Sequence, residues 1–143
     1  MSKDLAQARA ILAEGGYTCV FCRGAEVYTS RERGVAPLLD MLDAGRDMHG
    51  FAAADKVVGK AAAFLYALLG GKEVYAGILS EGAQQVLQAH KIPAEYGELT
   101  AAIRNRANTG FCPMEEAVAA IEEPAAAEAA IRLKRQQLAA ARK

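Results

Sequence analysis

Between Phe51 and Glu123 the chain alternates β-forming runs with helical ones, and this alternation restricts the fold more than any other feature. Phe51 to Ala54 is short and apolar and reads as a strand. Asp55 then caps a helix over Lys56 to Leu69, which Gly70-Gly71 stops. Its face of Val58, Ala61, Ala62, Leu65 and Leu69 is apolar, with small residues that allow close packing on a sheet. Glu73 to Leu79 (EVYAGIL) reads as a strand buried on both faces, and Ser80 or Glu81 caps the next helix, through His90. Ile92 to Leu99 holds a short strand around Pro93, and a further helix is expected from Pro113 to about Glu123. Strands separated by helices need crossovers. The expected fold is therefore α/β, a mostly parallel or mixed sheet covered by helices.

The segment before Phe51 adds an antiparallel element. Asp4 to Glu14 is a short amphipathic helix ended by Gly15-Gly16. Tyr17 to Arg23 and Glu26 to Ser30 flank Gly24-Ala25 and predict a hairpin. Val35 to Asp43 predicts a helix with Pro37 in its first turn, where proline is tolerated. With 143 residues, 52% of them hydrophobic, the chain is long enough to bury a core without disulfides or a structural metal. There is no internal repeat. From Pro124 the composition turns alanine-rich and basic, so the expected division is a domain over residues 1–123 and a helical tail over 124–143. Ile131, Leu133 and Leu138 form only a thin stripe there, which favours a solvated helix over a docked one.

Charge and cysteine usage exclude several function classes. Lys plus Arg equals Asp plus Glu at 17 each, so no overall field steers the chain toward nucleic acid or an anionic membrane. The tail carries Arg132, Lys134, Arg135, Arg142 and Lys143 but no interleaved aromatics, which speaks against nucleic-acid binding. No run of about 18 apolar residues is present, and the charged N-terminus does not suit a signal peptide. Three cysteines fit a reducing compartment, and a cytoplasmic location is expected.

Chemistry-bearing residues cluster in two short motifs. In Asp55-Lys56-Val57-Val58-Gly59-Lys60 a helix would place Lys56 and Lys60 on one side of its first turn, where two cations oppose the macrodipole. A bound anion would offset them; two solvated lysines are the equal alternative. In Phe111-Cys112-Pro113-Met114-Glu115, Pro113 at the first helical position makes Cys112 the N-cap. Glu115 is then placed to reach back to the cap amide, as in a capping box. A thiol at a helix N-terminus is a nucleophile or ligand by nature, although from the residues alone a small buried Cys112 is the favoured reading. Cys19 and Cys22 lie three apart in a strand, so they face opposite sides and neither pair nor chelate. His49 and His90 have no neighbours at metal-ligand spacing. Arg104 and Arg106 precede the Cys112 loop and add positive charge, and Ser80 sits at a strand end, where α/β folds place ligand contacts.

Taken together, ADKVVGKAAA (54–63), GILSEGAQQVL (77–87) and NRANTGFCPMEEAV (105–118) resemble an uncharacterised family of small bacterial domains of unknown function in the cytidine-deaminase-like superfamily. The resemblance runs from about Asp4 to Glu123. It implies a three-layer α/β/α fold with a mixed central sheet of about five strands, and a site where two helix N-termini meet. Zinc deaminases carry His-x-Glu or Cys-x-Glu at one terminus and Pro-Cys-x-x-Cys at the other. Here Asp55-Lys56 stands near the first and Cys112-Pro113-Met114-Glu115 near the second, so neither ligand set is complete and no metal or other cofactor is expected. The resemblance implies a zinc-free site for a small anionic or nucleotide-like molecule. In it Lys56 and Lys60 hold the anion, Asp55 orients Lys56 or accepts from the ligand, and Cys112 is nucleophile or packing residue. Ser80, Arg106 and Glu115 are further ligand contacts. A transfer reaction is the enzymatic form of this reading, and a non-catalytic binding or regulatory module is its alternative. Superfamily members are often oligomers, which makes a homodimer the expectation.

Overall fold

The computed structural model describes residues 2–104 and 112–141. Its elements in chain order are α1 (Lys3–Gly15), β1 (Cys19–Arg23), β2 (Glu26–Ser30), α2 (Ala36–Ala44), β3 (Ala52–Val58), α3 (Lys60–Leu69), β4 (Glu73–Ser80), α4 (Glu81–Ala89), β5 (Ala94–Thr100), α5 (Pro113–Val118) and α6 (Pro124–Ala141). The strands form one mixed sheet in the order β2-β1-β3-β4-β5. The hairpin β1–β2 and the β1–β3 pair are antiparallel, and β3–β4 and β4–β5 are parallel. The α/β class, the mixed sheet and helices on both faces all agree with expectation.

The two faces are covered unequally. Cys19, Phe21, Ala53, Val74 and Ala76 bury against Leu38 and Leu39 of α2, most of α3, Leu87 of α4, Val118 of α5 and Ala127 and Ile131 of α6. On the opposite face Val20, Cys22 and Ala54 bury against Ala8 and Leu12 of α1. That helix packs over β1 and β3 and only reaches the near side of β4. Consequently β4 is not buried on both faces as expected: Tyr75 and Gly77 are half-buried and Ile78 is 36% exposed.

Three further elements differ from the sequence reading. Strand β3 runs on through Asp55 to Val58, and the helix starts at Lys60 behind Gly59. The β-branched pair Val57-Val58 suits the strand, and the pairing of β3 with β4 continues to Val58↔Leu79. Helix α5 stops at Val118, and a separate α6 begins at Pro124. The tail helix is docked, because Ala127 and Ile131 are fully buried and Arg132 pairs with Asp43 at 2.9 Å. Among the described residues no helix is long and apolar enough to cross a membrane.

Candidate functional site

Asp55 is the most unusual group in the fold. Alternation along β3 turns it toward α3, where it is 6% exposed. The Tyr66 hydroxyl donates to its Oδ2 at 2.7 Å, and the Val57 amide to its Oδ1 at 3.4 Å. Cys19, directly opposite Asp55 in the antiparallel β1–β3 pair, brings its Sγ to 3.3 Å from the Tyr66 Oη. Three polar side chains from β1, β3 and α3 thus form one buried chain. Burial pushes the Asp55 carboxyl up to about 7, against the pull of the hydrogen bonds, the largest from Tyr66, that favour its charged form. The Cys19 thiol and the Tyr66 phenol are likewise raised, chiefly by burial and then by the Asp55 charge.

Because Asp55 lies in a strand, it caps no helix, and Lys56 does not share a helical face with Lys60. Lys56 is the next residue of β3 and follows Ala54 to the α1 face, where it is exposed. Lys60 is the first residue of α3, and its Nζ donates to the Ala119 carbonyl at 2.9 Å, at the end of α5. The basic pair expected around Asp55 is therefore divided between two faces of the sheet.

Glu115 takes over the capping role from a distance. Its carboxylate receives the amides of Lys60 at 2.6 Å and Ala61 at 2.9 Å, satisfying the N-terminus of α3 from α5. A Cβ on residue 59 would lie 2.3 Å from the Glu115 Oε1, so glycine is what admits the carboxylate. Burial raises the Glu115 carboxyl, while the two amides and the Lys60 charge oppose the rise. The capping box expected within the Cys112 motif is absent. The Cys112 amide donates to the Ile103 carbonyl at 3.0 Å, and its thiol makes no cap bond.

These groups border a cleft of about 250 Å³, lined by Asp55, Cys112, Glu115, Thr18 and Arg33 together with apolar Val35, Ala62 and Met114. Asp55, Lys56 and Cys112 thus border one cavity. Lys60 and Ser80 line a neighbouring cleft of about 280 Å³, which shares Glu115. Ser80 also caps α4, accepting from the Ala83 amide at 3.0 Å. Arg106 lies outside the described residues. Tyr66, Thr18 and Arg33 were not foreseen. Tyr66 stands eleven positions after Asp55 in a helix full of apolar residues, and nothing local marks it.

A zinc centre does not fit this donor set. Among the described residues no three His, Cys, Asp or Glu side chains converge as a metal site. Both Glu115 oxygens are taken by α3 amides, and the Asp55 oxygens by Tyr66 and Val57. Cys112 is left without the partners a tetrahedral site requires.

Among solved structures the chain is similar to a DUF1893 family protein (TM1506) from Thermotoga maritima. The TM-score is 0.81 and the identity 22%, over 96% of this chain and 92% of that one. At that identity the likeness speaks to the fold. No curated protein matches the chain. Residues 7–134 match the family described as "TM1506: Domain of unknown function (DUF1893)", a span that runs into α6. With most of its length matched, the chain belongs to the DUF1893 family.

Proposed function

We propose that this is a zinc-free protein of the cytidine-deaminase-like fold, whose cleft binds a small anionic or nucleotide-like molecule and uses Asp55 as a proton donor and acceptor. The observation that carries the reading is a carboxyl buried beside Tyr66 at the wall of an open cleft, a burial that pushes it up to about 7. Such a group is matched to general acid–base work near neutrality. The N-termini of α3 and α5 meet beside it through Glu115, which supports the kinship of fold. Arg33 supplies positive charge at the rim, and the apolar wall of Val35, Ala62 and Met114 suits a ring or short chain. Cys112 offers a thiol to the same space, so a group transfer assisted by Asp55 is the chemistry on offer. The three cysteines are free thiols, in keeping with a cytoplasmic setting.

A second reading, a non-catalytic binding or regulatory module, is favoured by Glu115. Its carboxylate already occupies the α3 amides that an external anion would use. A thermal-shift panel of nucleosides, nucleotides, phosphosugars and simple carboxylates, read at pH 6 and pH 8 on wild type, Asp55→Asn and Cys112→Ser, separates the two. The cleft reading expects one chemical class to raise Tm in wild type and to do so less in Asp55→Asn. If no class shifts Tm in wild type, the module reading stands.

A further inference from the structure

We propose that the groove between α1 and β4, on the sheet face opposite the Asp55 cleft, is a second ligand site that takes a phosphomonoester with a flat body. The groove measures about 390 Å³ and is lined by Arg9, Leu12 and Ala13 of α1, Gly16, Lys56 of β3, and Tyr75 and Gly77 of β4. Among the described residues the charged groups that line it are Arg9 and Lys56, both cationic. No ion pair among the described residues involves either of them. In a chain of zero net charge, two cations left together without an acid are a local excess that an anion would neutralise.

The geometry around them is preorganised. The Arg9 guanidinium lies over the Tyr75 ring, 4.0 Å from its centroid, a cation–π contact that restrains it while its N–H groups can still meet a bidentate acceptor such as phosphate. Lys56 adds a second, mobile cation. The floor beside Tyr75 includes two glycines, Gly77 and Gly97, and the Tyr75 hydroxyl reaches to 3.5 Å from where a Cβ on Gly97 would sit. A Cβ on Gly77 would lie 2.7 Å from the Lys56 carbonyl oxygen, and one on Gly97 would lie 3.0 Å from the Gly77 carbonyl oxygen. Strand crowding excludes a side chain at Gly77 and leaves little room for one at Gly97, so the backbone there lies open next to the Tyr75 hydroxyl, on the half of the sheet that α1 does not cover. A planar ring can lie on that backbone with its phosphate between Arg9 and Lys56.

The test is calorimetric titration of the full chain with adenosine monophosphate as the probe, with adenosine and inorganic phosphate as separate arms. The expected result is saturable binding of the nucleotide, weakened roughly tenfold or more in Arg9→Gln and in Lys56→Gln. Lys56→Arg, which keeps the cation, should bind as wild type does, and Asp55→Asn should weaken binding less than Arg9→Gln does. Adenosine, lacking the anion, should bind at least about tenfold more weakly than the nucleotide, and so should phosphate, lacking the body. The proposal is overturned if the nucleotide does not bind wild type at about 10 mM, if both Gln variants bind it unchanged, or if adenosine binds as tightly. Loss of binding in Asp55→Asn, with Arg9→Gln unaffected, would move the site to the cleft and likewise overturn it.

Discussion

Asp55 and Lys56 are consecutive residues of one strand, and they serve two opposite environments. Asp55 faces a layer of five helices, where it is buried beside Tyr66 and Cys19 and its charge is disfavoured. Lys56 faces a layer of one helix, where it stays exposed beside Arg9 and Tyr75. The one-residue step of a strand reverses the face and, with it, the electrostatics. A pair of neighbouring charges therefore says little about a shared site until the period of the element is known.

The sharpest way to break this contrast is to remove the Asp55 charge. The folded carboxyl titrates at about 7 and the ordinary value is 3.8, so between these values the folded state holds a proton that the unfolded state has released. Stability should therefore fall as pH rises from about 4 to about 7 and level off above, by on the order of 4 kcal/mol. Asp55→Asn keeps an acceptor for Tyr66 and should abolish that fall. Urea midpoints at pH 5 and pH 8 check it. A wild-type stability that rises with pH relative to Asp55→Asn would show that Asp55 is not held in its neutral form.

A smaller effect is expected at the seam between α3 and α5. Glu115→Ala removes the cap from two amides and should cost about 1–2 kcal/mol. Gly59→Ala places a methyl where the carboxylate sits and should cost a similar amount, for the same reason. The two are one interaction seen from both sides, so the double variant should cost little more than either single one. A double-mutant cycle measures this coupling, and additive costs would show that Glu115 is not what Gly59 accommodates.

Most of the fold was legible in the sequence because hydrophobic period and glycine stops are local. The hairpin around Gly24-Ala25, the helix end at Gly70 and the cap at Ser80 all rest on neighbours in the chain. The site was half legible. Cys112 and Asp55 share a cleft, but the cap on α3 comes from Glu115, 55 positions away from Lys60, and no local pattern encodes such a partner. The strand–helix boundary failed for a related reason. Asp-Lys-x-x-Gly-Lys contains a good N-cap residue, yet pairing with β4 holds Asp55 to Val58 extended. Tertiary pairing overrode the propensity. The docking of α6 was likewise hidden, since two buried residues, Ala127 and Ile131, carry it.

On the α1 face the expected stability effects are smaller still. Arg9→Gln loses the stacking on Tyr75, worth about 0.5–1 kcal/mol at a partly exposed position. Lys56→Gln should change stability by less than about 0.5 kcal/mol, because the side chain is exposed and makes no ion pair among the described residues. That small number is informative against Asp55. If Lys56 acted on the buried carboxyl, its removal would raise the Asp55 titration further, and the pH profile of Lys56→Gln would shift upward from that of wild type. Because the two side chains lie on opposite faces, the profile should superimpose on wild type. A displaced pH midpoint, in stabilities read by urea denaturation across pH 5 to 8, would mean that the strand does not insulate its two faces from one another.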